Sequence, residues 1–289
     1  MKKTLLFTSI VFIVALTNFS FMAKPENEAK RILTKMISSV NGIKTIVYTM
    51  RGLERIVGMK NLRGGDIYTK ISYNSHKVYL KMITDPNKGT EVLYVKGERN
   101  DKALVNPGKF LPTVKLNPFS TLLTKDQHHT ILSAGFLFTA KVAEAGIAKA
   151  ESQGKFDEVF KYEGDVKWDG KDCYKMLIED PTWTYTTYKA KPGENMYTIA
   201  QKLLIPEYCM VELNGVKNFE EDLGGRTLKV PTSYAKKTIM YIDKQTYLPI
   251  YQEMHDDKGV FERYEFYNVS VNPSFGADEF SEKFSEYNF

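Results

Sequence analysis

Imidazole is the commonest metal ligand and the thiolate a strong nucleophile, so chemistry is sought first at His128-His129, Cys173 and Cys209. Adjacent helical residues point about 100° apart, whereas a chelating pair needs i, i+4 spacing. The histidine pair therefore predicts no metal site. Both cysteines have apolar neighbours (Tyr174 and Met176; Met210 and Val211), which predicts buried free thiols, although an oxidising compartment would allow them to pair. His255-Asp256-Asp257 falls in an expected hairpin turn, where aspartate serves the backbone. Glu163, Asp165, Asp169 and Asp172 alternate with turn residues and read as solvent-facing. The chain contains no His-Glu-x-x-His, Gly-x-Ser-x-Gly, Walker or dinucleotide-binding pattern. No catalytic residue, metal ligand or cofactor is expected. A glycosidase stays open as an alternative, because it needs only two suitably spaced carboxylates.

The elements that would position such groups begin after an unusual start. Lys2 and Lys3 precede an apolar run from Leu5 to Leu16, and the first charge cluster comes only at Lys24 to Glu28. This is the layout of a secretory signal peptide, expected over residues 1–23, and it predicts export to the periplasm or cell envelope. A retained membrane anchor is the competing reading, weakened by Thr8, Ser9, Thr17, Asn18 and Ser20 within the run. Removing Lys2 and Lys3 lowers the formal charge from +5 to +3, too weak a balance to argue for nucleic acid. The sequence does not fix the oligomeric state.

Apolar residues at helical spacing from Ala29 to Val40 predict an amphipathic helix over Glu26–Val40. Short β-branched and aromatic runs follow at Ile43–Ile56, Ile67–Tyr73, Lys77–Thr84 and Glu91–Lys96, separated by Gly, Asn, Asp and Pro turns. A helix is expected over about Gln127–Glu151, with Leu132, Phe136, Ala140, Ala143 and Ile147 on one face, and a shorter one over Lys155–Phe160. Strands resume at Tyr162–Trp168 and Cys173–Glu179, and a second meander occupies Thr238–Asp243, Leu248–Asp256 and Val260–Asn268. The fold class is α+β, with helices gathered on one face of a long antiparallel sheet.

Between the two meanders the order changes to strand, helix, helix, strand. The strand is Tyr188–Lys191, the turn Pro192–Asn195, and the helices are Met196–Leu203 and Pro206–Leu213. Asn214-Gly215 is a stop, and Arg226–Val230 closes the unit. Through Tyr188, Pro192-Gly193, Ile199-Ala200, Leu213-Asn214 and Leu228-Lys229-Val230-Pro231 this segment resembles a LysM domain, a small peptidoglycan- and chitin-binding module. The resemblance implies a βααβ module over residues 188–232. It also implies a shallow groove for N-acetylglucosamine-containing glycan strands at Gly193, Glu194, Asn195, Met196, Gly215, Val216 and Lys217. The plainer alternative is that Glu194 and Asn195 cap the helix and Met196 fills the small core. Two departures from the family pattern stand out: Glu194-Asn195-Met196 after the glycine, and an acidic loop at Lys217–Leu223.

The run Tyr241–Ile250, the turn Asp257-Lys258-Gly259, Phe266-Tyr267-Asn268-Val269 and Phe280 resemble the late strands of periplasmic lipoprotein-carrier proteins. Val78–Lys81, Gly89–Tyr94 and His129–Gly135 resemble an uncharacterised bacterial family related to them. This likeness implies a body over 24–187 and 235–289 built as a curved antiparallel half-barrel with helices on its concave face. Such a cup could hold lipid or lipoprotein acyl chains, lined by aromatic strands and the Leu132, Phe136 face. The alternative is that these side chains are ordinary core. The expectation is thus a non-enzymatic envelope protein. The alternative is a peptidoglycan-remodelling hydrolase whose carboxylate pair is hidden in the sheet.

Overall fold

The computed structural model describes residues 27–108 and 111–289, so the expected signal peptide lies outside the described residues. The first helix, α1 (Glu28–Asn41), starts where Asn27 accepts a hydrogen bond from the Lys30 amide, leaving Glu28 in the favourable first turn. Its stripe Ala29, Ile32, Leu33, Met36 and Val40 is buried. The strands β1 (Thr45–Glu54), β2 (Arg63–Ser72), β3 (Lys77–Met82), β4 (Glu91–Val95), β5 (Ala103–Asn106) and β6 (Val114–Leu116) form the first meander. Helices α2 (Thr121–Thr124), α3 (Leu137–Ser152) and α4 (Phe156–Val159) precede β7 (Phe160–Trp168) and β8 (Lys171–Glu179). The inserted unit is β9 (Tyr185–Lys189), α5 (Met196–Leu203), α6 (Cys209–Asn214) and β10 (Thr227–Pro231). The chain closes with β11 (Lys237–Asp243), β12 (Pro249–Asp256) and β13 (Gly259–Val271).

Eleven strands make one antiparallel sheet in the order β6-β5-β4-β3-β2-β1-β13-β12-β11-β8-β7, which does not close on itself. The α+β class expected from the sequence holds. The pairing of β1 with β13 joins the two meanders and places Glu54 directly opposite Glu262. On one face α1 and α3 pack together, and the small residues Ala143 and Ala150 on α3 give room for Ile32, Leu33 and Met36. The C-terminal segment packs through Phe280 and Tyr287 on Tyr79, Leu93, Val95 and Leu104, with Tyr287 stacked on Tyr79 at 3.8 Å.

The helix expected over Gln127–Glu151 is only half formed. Residues 127–136 are irregular apart from a 3-10 turn at Ile131–Ser133, and α3 begins at Leu137. Gly135 breaks the helix with φ +94°, and a Cβ there would lie 2.0 Å from the Tyr73 hydroxyl, so only glycine lets this segment lie on the sheet. The Tyr73 hydroxyl in turn accepts from the Phe136 amide.

The insert connects β8 to β11, which are themselves neighbours in the large sheet. Its ends are tied by Thr232 N to Thr184 O and by Asp180 N to Lys236 O. Strands β9 and β10 pair only with each other, and Met196, Ile199, Met210, Val216, Leu223, Leu228 and Val230 form a separate core. The first strand begins at Tyr185, three residues earlier than the sequence suggested.

Candidate functional site

A cavity of about 670 Å³ runs between the sheet and the segment that carries α2 and α3. Its sheet wall includes Tyr48, Met50, Ile67, Leu80, Val92, Met240, Met254 and Phe266, and its helix wall Ile131, Phe138, Val142 and Gly146. This size and apolar lining suit a ligand rather than a packing defect. The expected Leu132, Phe136 face does not supply the lining. Phe136 is fully buried between Tyr48 and Phe266, with ring centroids at 5.8 and 4.4 Å, and Ile131 and Phe138 take its place at the wall. The shift follows from the late start of α3, which turns the irregular stretch onto the sheet.

One part of the wall is polar. Glu54, His129, Ser133, Tyr234 and Tyr264 reach the cavity from β1, the 127–136 segment, the stretch after β10, and β13. Glu54 and, behind it, Glu262, both nearly inaccessible, stand on adjacent strands as a like-charged pair, an arrangement that is unfavourable without compensation. Compensation comes from the two histidines. His128 bonds Glu262 through Nδ1 (2.8 Å) and the Arg55 carbonyl through Nε2 (2.8 Å), and its amide donates to Glu54 (2.8 Å). His129 reaches Glu262 through Nε2 (3.4 Å) and Glu207 through Nδ1 (3.1 Å). The hydroxyls of Tyr264, Tyr234 and Ser133 donate to Glu54, Glu262 and Glu207 at 2.6, 2.6 and 2.7 Å.

Burial alone would lower both imidazoles, but the carboxylates reverse this. Glu54 and Glu262 raise His128, and Glu262 and Glu207 raise His129 well above its ordinary value. Burial pushes Glu262 up, yet the two histidines hold it far below the usual carboxylate range. The network is therefore ionic and fully hydrogen-bonded. A carboxylate pair hidden in the sheet does exist in Glu54 and Glu262, but all four of its oxygens already accept hydrogen bonds.

Glu207 belongs to the insert, so this network also fixes the insert to the body. Arg55 from the body makes a bidentate pair with Glu212 (2.9 and 2.8 Å) and bonds Asp256 (3.0 Å). The Tyr208 ring stacks on His128 at 4.3 Å, and Phe119 meets Tyr197 at 5.4 Å. Such a combination of buried charge pairs and stacked rings leaves little rigid-body freedom.

The seven residues expected to bind glycan fall at the two helix-flanking loops of the insert. Gly193 (φ +78°), Gly215 (φ +63°) and Lys217 are exposed, whereas Met196 and Val216 are buried in the insert core. Asn195 forms a capping box with Thr198. Glu194 accepts from the Tyr188 hydroxyl, the Lys191 amide and Lys202, and these partners lower its pKa to about 2, the Lys191 amide contributing most. Met196 and Val216 thus fill the insert core and Asn195 caps α5, while Glu194 ties the Lys191 amide, Tyr188 and Lys202 together. Cys173 and Cys209 are free thiols.

The His–Glu network was missed in the sequence because its members come from separate segments. A signal did exist: Glu54 shares the inward phase of Ile46, Tyr48 and Met50, and Glu262 that of Tyr264 and Phe266. An acid on the apolar phase of a strand must find a buried partner.

A family profile described as a protein of unknown function, DUF1571, matches residues 45–206. The chain belongs to the DUF1571 family. In this DUF1571 protein the matched region contains Glu54, His128, His129 and Ser133, and it ends one residue before Glu207. No curated protein matches the chain. Similar solved structures include the lipoprotein LppX of Mycobacterium tuberculosis, with 10% identity, 86% of this chain and 97% of that one covered, and a TM-score of 0.40. LprF from Mycobacterium bovis is similar at 11% identity, with 87% and 97% covered and a TM-score of 0.41. A putative outer membrane lipoprotein-sorting protein domain from Vibrio parahaemolyticus follows at 11% identity, 88% and 97% covered, and a TM-score of 0.34. Among the described residues no helix is long and apolar enough to cross a membrane.

Proposed function

We propose that this is an exported envelope protein that binds the acyl chain of a lipid or lipoprotein in the cavity between its sheet and α3, without chemical conversion. The observation that supports this reading is the cavity of about 670 Å³ with an apolar wall. Burial of a chain there contributes about 0.8 kcal/mol per methylene, so a long chain offsets the cost of association. The closed hydrogen-bonding of the His–Glu network argues for a structural wall over a reactive one. Displacement of a fluorescent fatty acid, with native mass spectrometry of the purified protein, tests the proposal. The expected result is stoichiometric binding that Val142→Trp weakens by narrowing the cavity. Absence of both uptake and co-purified lipid in the wild-type protein would sink it.

A second reading concerns the insert. Its βααβ order, separate core and exposed Gly193 and Gly215 backbone support a LysM-like module that places the body on peptidoglycan. Retention on purified sacculi that soluble N-acetylglucosamine oligosaccharides compete away is the expected result. Retention insensitive to the competitor speaks against it.

A further inference from the structure

The charges around the cavity carry more information than its apolar lining. The polar wall sets three carboxyl groups, Glu54, Glu207 and Glu262, against two imidazoles, so acidic charge outnumbers basic charge there by count. Arg55 does not cancel this charge, because its guanidinium is shared between Glu212 and Asp256. The hydroxyls of Ser133, Tyr234 and Tyr264 are already given to these carboxylates and are not offered to a ligand. An incoming anion would meet like charge in a poorly solvated site.

Cations are placed elsewhere. Lys88, on the turn between β3 and β4, and Lys125, just after α2, both line the cavity and are exposed to solvent. Neither makes an ion pair among the described residues, and their acidic sequence neighbours, Asp85 and Asp126, do not line the cavity. The third lining cation, Lys149, is bound to Asp180 at 2.9 Å. Leu111, Val114 and Leu122, which are 59%, 38% and 81% exposed, line the same cavity, so its solvent side is apolar and cationic together.

We propose that the cavity takes an anionic amphiphile tail first, with its head group held outside at Lys88 and Lys125 while the acidic inner wall excludes it from the interior. This inference rests on the acyl-chain reading above and adds a head-group class and a direction. The test compares an ionised fatty acid, a fatty alcohol and a fatty amine of one chain length, at low salt and pH 8, on the whole protein. The expected order is acid, then alcohol, then amine, with about tenfold between acid and amine from two solvent-exposed cations. In the double variant Lys88→Glu, Lys125→Glu the order of acid and amine reverses while alcohol affinity stays constant. Equal affinities for acid and amine in the wild-type protein, or an order unmoved by the double variant, overturn the inference and leave the chain-binding reading intact. Failure of all three ligands to bind removes both.

Discussion

Replacing Glu207 by Gln tests whether the insert and the body are held together by charge. Glu207 is fully buried and accepts from His129 at 3.1 Å and Ser133 at 2.7 Å. Glutamine keeps the size and one acceptor oxygen, but it removes the charge and sets an amide donor against one of these two groups. Losing one charge-assisted hydrogen bond and the buried pair costs about 3 kcal/mol. At about 2–4 °C per kcal/mol for a domain of this size, the melting temperature falls by about 6–12 °C. The pH dependence follows from His129, whose folded pKa is raised well above its ordinary value. A group raised on folding stabilises fully below its unfolded pKa, near 6.5, and loses that contribution as pH rises through the folded pKa. The gap between wild-type and variant should therefore be largest at pH 6 and shrink at higher pH. Thermal unfolding followed by circular dichroism over this range measures both effects. A variant within about 1 °C of the wild-type protein at pH 6, or a gap independent of pH, would refute the ionic clamp.

Shortening a bound fatty acid by two methylenes should weaken it by about 1.6 kcal/mol, or about fifteenfold in Kd, as read by competition titration. Phe136→Ala, which removes a ring enclosed by Tyr48 and Phe266, should destabilise the protein by about 3–5 kcal/mol in urea unfolding. Burial raises the Cys173 thiol to about 11, so alkylation at pH 8 should be slow in the native protein and fast once it is unfolded. Asn195→Ala removes the α5 capping box and should cost about 1 kcal/mol, read as earlier loss of the insert in hydrogen exchange.

Local patterns determined much of this molecule. The period-3.6 stripe of α1 and the turn-bounded runs of both meanders read directly from the residues, because helix and strand periodicity express which face must be buried. The insert was equally legible, since its turn glycines and its Asn195 cap lie within a few residues of the helices they delimit. Tertiary structure decided the rest. Gly135 is an ordinary glycine in the sequence, yet its fit beneath the Tyr73 hydroxyl is what delays α3 and moves Phe136 from the cavity wall into the core. A lining residue such as Leu80 has the same composition signature whether the space beside it is filled or empty, so the cavity depends on how the layers stand apart. The His–Glu network arises only when β1 pairs with β13 and the insert folds back to bring Glu207 to His129. Those contacts span more than seventy residues of sequence, beyond the reach of any local pattern.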